Sequence, residues 1–290
     1  MDNLRERRNR GTKDFPLSRY HFENRPAGTV ITQIHWHNDM EILYLHRGAL
    51  EVRVRQATHR ITAGQILLIH PNTLHSVRVL SSDTCYDALV FSWDLVTLPE
   101  GHFLQRSLIQ PLKDGEICFP DLLSPEEPVY SNAAEHIRHA CASEAESSTY
   151  KLTVMNAIFS FLITLAADWN THYQPDQNWQ QRNNIVKQCL SYMNANYAQK
   201  LTLDQIAQQV HVHPNYLCNI FKASTGQSVF EHLSRIRVER ATKLLRTSQK
   251  SMAQVAAECG FNSPNFFTRK FREIIGTTPK SYSKQYYSAD

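Results

Sequence analysis

The sequence predicts an α+β protein of more than one domain: a β-rich barrel first, a short helical section next, and an all-α C-terminal domain with two helix-turn-helix units. Three observations predict it. Between about residues 20 and 91, short apolar or alternating segments recur between turn residues. Over residues 130–170 the apolar period becomes helical. Near the C-terminal end, one unit is written twice, as LTLDQIAQQVHVHPNYLCNIFKASTG and SMAQVAAECGFNSPNFFTRKFREIIGTTP. A chain of 290 residues has room for two domains.

Taken in order, residues 1–14 are polar and basic and are expected to be a flexible terminus. They lack the apolar stretch of a secretory signal. Residues 15–98 are expected to form the barrel. Segments such as ILYLHR, LEVRVRQ, HRITAGQILLIH, HSVRVL and YDALVFSW are separated by turn signals at Gly48, Gly64, Pro71-Asn72 and residues 81–83. Residues 99–128 are rich in Pro, Gly and Asp and read as irregular. Two helical stripes follow: Ala134, Ile137, Ala140 and Cys141, then Leu152, Met155, Ile158, Phe159, Leu162 and Leu165. The section 99–170 is the expected dimerisation region. Residues 171–182, THYQPDQNWQQR, read as a polar linker, and the C-terminal domain is expected over residues 183–290.

In the repeated unit, Ile206 corresponds to Val255, Ala207 to Ala256, Pro214 to Pro264, Asn215 to Asn265, Phe221 to Phe271 and Gly226 to Gly276. Each copy reads as a short amphipathic helix, a tight turn, a Pro-opened helix and a Gly stop, over residues 203–224 and 252–275. Leu217, Ile220 and Phe221 should face inward in the first copy, and Phe267 and Phe271 in the second. That leaves Asn215, Tyr216, Cys218, Asn219 and Lys222 outward in one helix and Asn265, Thr268, Arg269 and Arg272 outward in the other. Asn can bond an adenine edge with two hydrogen bonds, Arg and Lys suit guanine or phosphate, and Thr suits a thymine methyl. Between the copies, the helix over residues 229–247 carries Arg235, Arg237, Arg240, Lys243 and Arg246, which are expected to expose charge toward phosphates.

Charge supports this. Residues 183–290 hold 14 Lys and Arg against 6 Asp and Glu, a net of +8, whereas residues 1–182 hold 17 against 21. Basic charge concentrated on the segment with the repeat is the footprint expected of double-stranded DNA as partner. No run approaches about 18 uninterrupted apolar residues, so no membrane partner is expected. The six Cys are scattered without a CxxC pair, as in a cytoplasmic protein with reduced thiols. Neither a P-loop, a dinucleotide fingerprint nor a nucleophile–base arrangement is present, so no cofactor and no enzyme activity are expected.

The stretches IAQQVHVHPNYLCNIFKASTGQS, RIRVERATKLL and VAAECGFNSPNFFTRKFREIIGTTPKSY resemble the DNA-binding domain of the AraC/XylS family of bacterial transcription regulators. The resemblance implies that Asn215, Cys218, Asn219, Asn265, Thr268 and Arg269 touch bases. It departs at Asn219, where the family often has Arg or Lys, so the first helix is the weaker base reader. It implies a ligand-responsive activator, a homodimer, RNA polymerase as partner and an N-terminal domain that binds a small effector, often a sugar, usually without metal.

In that N-terminal half, His35, His37 and Glu41, followed by Gly48, Gly64, Pro71 and His75, are spaced in a way that resembles the cupin barrel. Strand alternation puts His35 and His37 on one face. With Glu41 and His75 they could hold a divalent transition ion. As effector-pocket residues the same four are joined by Trp36, Tyr44 and Trp93, with Phe91 as a further apolar wall. Two alternatives stay open: a metal-dependent cupin enzyme with an accessory DNA-binding domain, and a regulator whose front half binds a protein partner.

Overall fold

The structure is a computed structural model that describes residue 6 and residues 10–114, 116–143, 147–168, 177–247 and 250–287. The chain divides into two compact units, Arg5–Asn183 and Asn184–Asp290, each described by itself.

The strands of the first unit are β1 (Leu17–Glu23), β2 (Val30–His35), β3 (Met40–Arg47), β4 (Ala49–Val54), β5 (Ala57–Thr62), β6 (Ile66–Ile69), β7 (His75–Val79), β8 (Cys85–Phe91) and β9 (Leu122–Leu123). They form two antiparallel sheets, ordered β1-β8-β3-β6-β9 and β2-β7-β4-β5. Alternation sorts their side chains. Leu43, Leu45, Leu67, Ile69, Tyr86 and Ala88 of the first sheet pack against Leu50, Val52, Val54, Ile61, Val77 and Val79 of the second. The intervening Met40, Ile42, Tyr44, Ile66, Leu68, Leu89 and Phe91 face the other way, into a core completed by helices α2 (Tyr130–Ala142) and α3 (Tyr150–Asp168). The first sheet is therefore buried on both faces, which is why β3, β6 and β8 read as continuous apolar runs. Each fully buried Leu or Ile there stabilises by about 1.5–3 kcal/mol.

Several expectations change. Residues 99–128 are not irregular throughout. A helical turn at Gln105–Ile109 runs into helix α1 (Gln110–Asp114), burying Leu108, Ile109 and Leu112, and β9 extends the first sheet beside β6. The frequent Pro, Gly and Asp around them masked these few apolar anchors. In α3 the inward stripe is Val154, Ala157, Ile158, Phe161, Leu162 and Leu165, whereas Leu152 is 70% exposed. The helix is apolar nearly all round, so its period alone could not set the phase. By length and composition α3 would also pass as a membrane span, but here its inward stripe is packed on the sheet. Arg10, placed on a flexible terminus by sequence, is buried, and its guanidinium meets Asp39 Oδ2 at 3.2 Å, the Tyr20 hydroxyl at 3.1 Å and Glu6. The rest of that expectation, for residues 1–5 and 7–9, falls outside the described residues. Residues 177–182 are helical, as the first turns of α4 (Gln177–Asn196), where a linker was expected. The Arg55 guanidinium lies 4.7 Å over the Trp179 ring, and the Asn183 amide donates to the Asn72 carbonyl at 2.8 Å. Residues 171–176 of the expected linker lie outside the described residues.

Asp87 shows how the buried polar groups here are handled. It sits opposite Tyr44 in the β3–β8 ladder, on the helix-facing side, and its side chain is 2% exposed. His46 Nε2 meets it at 2.6 Å, His21 Nδ1 at 3.0 Å and Arg19 Nε at 3.2 Å. Burial alone would raise the carboxyl, but His46, His21 and Arg19 outweigh it and hold it at about 2. The folded value lies below the unfolded one, so this stabilisation is present above about pH 4 and is lost as pH falls toward 2. It is worth about 2 kcal/mol. Asp87→Asn should therefore unfold at lower urea than the parent chain at pH 6, and the difference should shrink steadily between pH 5 and pH 2. A difference that held constant with pH would remove the carboxylate from the explanation.

In the second unit, helices α5 (Leu203–Gln209), α6 (Pro214–Thr225), α7 (Val229–Thr247), α8 (Met252–Glu258), α9 (Pro264–Ile275) and α10 (Pro279–Tyr287) follow the remainder of α4. Helix α7 lies between the two helix pairs and packs on α6, α8, α9 and α10. Val238, Ala241 and Leu245 of α7 join Val255, Ala256, Cys259, Phe261, Phe267, Phe271 and Tyr282 in one apolar core.

Candidate nucleic-acid interface and ligand cluster

The two helix pairs are built alike at the level of single hydrogen bonds. The Thr202 hydroxyl accepts from the Gln205 N–H at 3.2 Å, and the Gln205 side chain accepts from the Thr202 N–H at 2.9 Å. Ser251 and Gln254 repeat the box at 3.3 and 2.9 Å. One turn on, Ile206-Ala207 and Val255-Ala256 are buried, the small Ala letting the second helix cross closely. The turn then needs a left-handed residue, His211 at φ +56° in the first pair and Gly260 at φ +81° in the second. Pro opens α6 and α9, and Gly226 and Gly276 close them at φ +74° and +85°. Ser263 caps α9, its hydroxyl accepting from the Phe266 N–H at 3.4 Å. Its counterpart in the first pair is His213, whose Nδ1 accepts from the Asn215 N–H at 3.3 Å. Sequence reading had no signal for a His cap.

With Leu217, Ile220 and Phe221 inside α6 and Phe267 and Phe271 inside α9, the opposite faces are exposed. On α6 these are Asn215, Tyr216, Asn219 and Lys222, with Cys218 half-buried. On α9 they are Asn265, Thr268, Arg269 and Arg272, which line a shallow concavity with Glu273 and Thr278. The Arg269 guanidinium lies 5.2 Å over the Phe266 ring, and the Thr268 hydroxyl donates to the Pro264 carbonyl at 3.0 Å. The α7 cations differ from expectation. Arg237 donates to the carbonyls of Tyr197 and Gln199 at 2.8 Å each, Arg240 lies 5.2 Å over Tyr197, and Arg246 donates to the Tyr282 hydroxyl at 2.8 Å. Arg235 is half-buried, and Lys243 is left exposed. Because α7 is packed on several sides, most of its cations tie the unit together.

In the N-terminal unit, four of the expected ligand residues converge. His35 on β2 faces His75 on β7 across the ladder, Glu41 comes from β3 of the opposing sheet, and His37 from the segment between β2 and β3. Ring centroids stand 4.1 Å apart for His35–His75, 4.9 Å for His37–His75 and 5.6 Å for His35–His37. Glu41 Oε2 is 3.1 Å from His37 Nε2 and 3.4 Å from His75 Nε2. Burial, aided by the neighbouring His75, pushes the His35 imidazole down to about 3. Burial would raise the Glu41 carboxyl, but His37 and His75 outweigh it and keep it below the ordinary carboxylate range. Trp36 is half-buried and its carbonyl accepts from the Glu6 N–H at 2.9 Å. Tyr44 and Trp93 do not join them. Tyr44 is three residues from Glu41, so alternation turns it to the other face of the sheet, and Trp93 and Phe91 lie in that same helix-facing core. The Asp87 group with His21 and His46 had no linear motif and was missed by sequence reading.

Comparisons with known proteins agree. The model of the AraC-like ligand binding domain matches residues 16–162, and that of a helix-turn-helix domain matches residues 206–285. The chain is 21% identical over 284 residues to the uncharacterized HTH-type transcriptional regulator YdeC of Bacillus subtilis, covering 97% of this chain and 96% of that one. It is 23% identical over 273 residues to the melibiose operon regulatory protein of Escherichia coli K12, covering 89% and 85%. The crystal structure of a transcriptional regulator with an AraC-type DNA-binding domain from Chromobacterium violaceum aligns at 29% identity over 37% of this chain and 96% of that one, with a TM-score of 0.35. A ligand-binding domain followed by paired, capped helix units with polar outer faces makes this chain a member of the AraC family of DNA-binding transcription regulators.

Proposed function

We propose that this regulator is a ligand-responsive activator that acts as a homodimer in the cytoplasm and works by engaging RNA polymerase at the promoters it occupies. The observation that carries the DNA-reading part is the pair of equivalent outer faces, Asn215, Tyr216, Asn219 and Lys222 on α6 and Asn265, Thr268, Arg269 and Arg272 on α9. These side chains do not hold the fold together, and their chemistry suits base edges and phosphates. An apolar strip on α3, with Leu152 70% and Ile163 38% exposed beside the half-buried Met155 and Phe159, supports α3 as the dimer face. All six cysteines are free thiols, which suits a reducing compartment. The effector is a small metabolite, with a carbohydrate as first candidate, since the melibiose operon regulator is among the relatives. It enters where His35, His37, Glu41 and His75 meet.

The test is footprinting on the DNA upstream of genes adjacent to its own, followed by gel-shift titration in rising salt and transcription with purified polymerase. A protected site two neighbouring major grooves long is expected, with affinity falling about 10³-fold between 50 and 200 mM salt if six phosphates are neutralised. Transcription from that site should rise with the regulator present. Sedimentation of the free chain should read twice 33.5 kDa. Salt-independent binding or no protected site would sink the DNA reading. A monomer would sink the α3 assignment, and reduced transcription would make it a repressor.

A further inference from the structure

The cluster of His35, His37, His75 and Glu41 contains a hydrogen-bonding contradiction. A neutral imidazole has one N–H and one lone pair. His37 Nδ1 faces the Asp39 carbonyl at 3.1 Å, His75 Nδ1 faces the Thr73 carbonyl at 2.8 Å, and His35 Nδ1 faces the Gln33 carbonyl at 2.9 Å. A carbonyl only accepts, so each Nδ1 must carry the proton. All three Nε2 atoms then carry lone pairs. Yet the Nε2 atoms of His37 and His75 are turned toward the Glu41 carboxylate, another group that only accepts. His75 Nε2 is buried with no hydrogen-bond partner. Lone pairs pointed at a carboxylate repel unless something positive stands among them.

A proton on each ring would serve, but several imidazolium ions with ring centroids 4.1–5.6 Å apart in a buried place repel one another. One divalent ion resolves all the contacts at once. Tying each Nδ1–H to a backbone carbonyl is how ligating imidazoles are oriented. The ligand nitrogens of the three His lie within 4.8 Å of one another. Ligands about 2.1 Å from a shared ion stand roughly 3 Å apart when adjacent and 4.2 Å when opposite, so the rings draw together to close on one ion. The donors come from both sheets, which makes the pocket rigid. On its open side, Glu6 Oε2 is 3.6 Å from His35 Nε2. Three imidazoles and a carboxylate suit zinc, nickel, cobalt, iron or manganese, and poorly suit calcium or magnesium.

We propose that the N-terminal domain binds one divalent first-row transition metal ion through Nε2 of His35, His37 and His75 and the carboxylate of Glu41. This rests on the reading of that cluster as the ligand site of the domain, and not on the DNA-binding reading. The metal either is the effector or anchors an effector's oxygen atoms to the protein.

The full chain without an affinity tag, stripped with chelator and dialysed, is titrated with Co2+ and with Zn2+ by calorimetry, with Co2+ also followed by its visible absorption. One equivalent per chain is expected, with a rise in melting temperature that grows with ion concentration. His37→Ala and His75→Ala should each weaken uptake by about 100-fold or more, whereas His46→Ala, in the separate Asp87 group, should leave it unchanged. Should the His variants fail to fold by circular dichroism, the isosteric Glu41→Gln decides: it should weaken uptake and shift the cobalt bands. No stoichiometric uptake by the folded parent chain, or uptake unchanged in Glu41→Gln and the folded His variants, overturns the site. Gel shifts on the same stripped chain separate the two readings, since retained DNA binding with no metal uptake overturns only this proposal.

Discussion

Gly260→Ala should abolish operator binding by disrupting the second helix pair. Gly260 holds φ at +81°, a backbone region that costs an L-residue about 1–2 kcal/mol. A Cβ at that position would also stand 2.5 Å from the Tyr197 carbonyl oxygen and 2.9 Å from that of Ala198. Both obstacles are backbone in the turn just after α4, so no side chain can rotate aside. The total penalty should exceed about 3 kcal/mol, at the upper end of what single substitutions cost. Its N–H also bonds the Ala257 carbonyl at 2.9 Å, so moving residue 260 loosens the turn that aims α9. The equivalent residue of the first pair, His211, is already an L-residue at φ +56°, and His211→Ala should be nearly silent. Urea melts and gel shifts on the two variants check this. Equal stability and affinity for both would mean the turn is not held as described.

The second large effect concerns reading. Asn265→Ala with Arg269→Ala should leave the melting temperature almost unchanged, because both side chains are exposed and neither is part of the apolar core. Affinity for the cognate site should fall about 100-fold or more, since each good base contact is worth about 1–3 kcal/mol. Affinity for random duplex should fall much less. The matching change on α6, Asn215→Ala with Asn219→Ala, should cost less, because neither residue there is cationic. Equal losses on cognate and random DNA would turn Asn265 and Arg269 into backbone contacts.

The C-terminal unit was legible because its chemistry is local. Pro at 214 and 264 and Gly at 226 and 276 act within a few residues of where they stand. Written twice, these signals confirm one another. The cap at His213 escaped because imidazole is an uncommon acceptor there. In the N-terminal unit, strands were legible while faces were not. Placing Tyr44 with Glu41 in one pocket ignored the odd spacing between them, which sends the two to opposite sides of β3. The Asp87 group could not be found at all, since His21, His46 and Asp87 meet only through the pairing of β1, β8 and β3. The phase of α3 was unreadable for a different reason, because a helix apolar nearly all round gives no contrast between its faces. Arg237 and Arg246 of α7 were misjudged because their charge was counted without the carbonyls of Tyr197 and Gln199 and the hydroxyl of Tyr282 that they bond.

The outer faces of the two Pro-opened helices are unequal: α9 presents Arg269 and Arg272 outward, while Lys222 is the cation on the outer face of α6. If the two faces read DNA as proposed, a promoter recognised by the pair is under lopsided selection. Base changes beneath the arginine-bearing helix should then be purged and those beneath its neighbour should accumulate, so sites for this regulator across a genome should share one well-kept half and one that drifts.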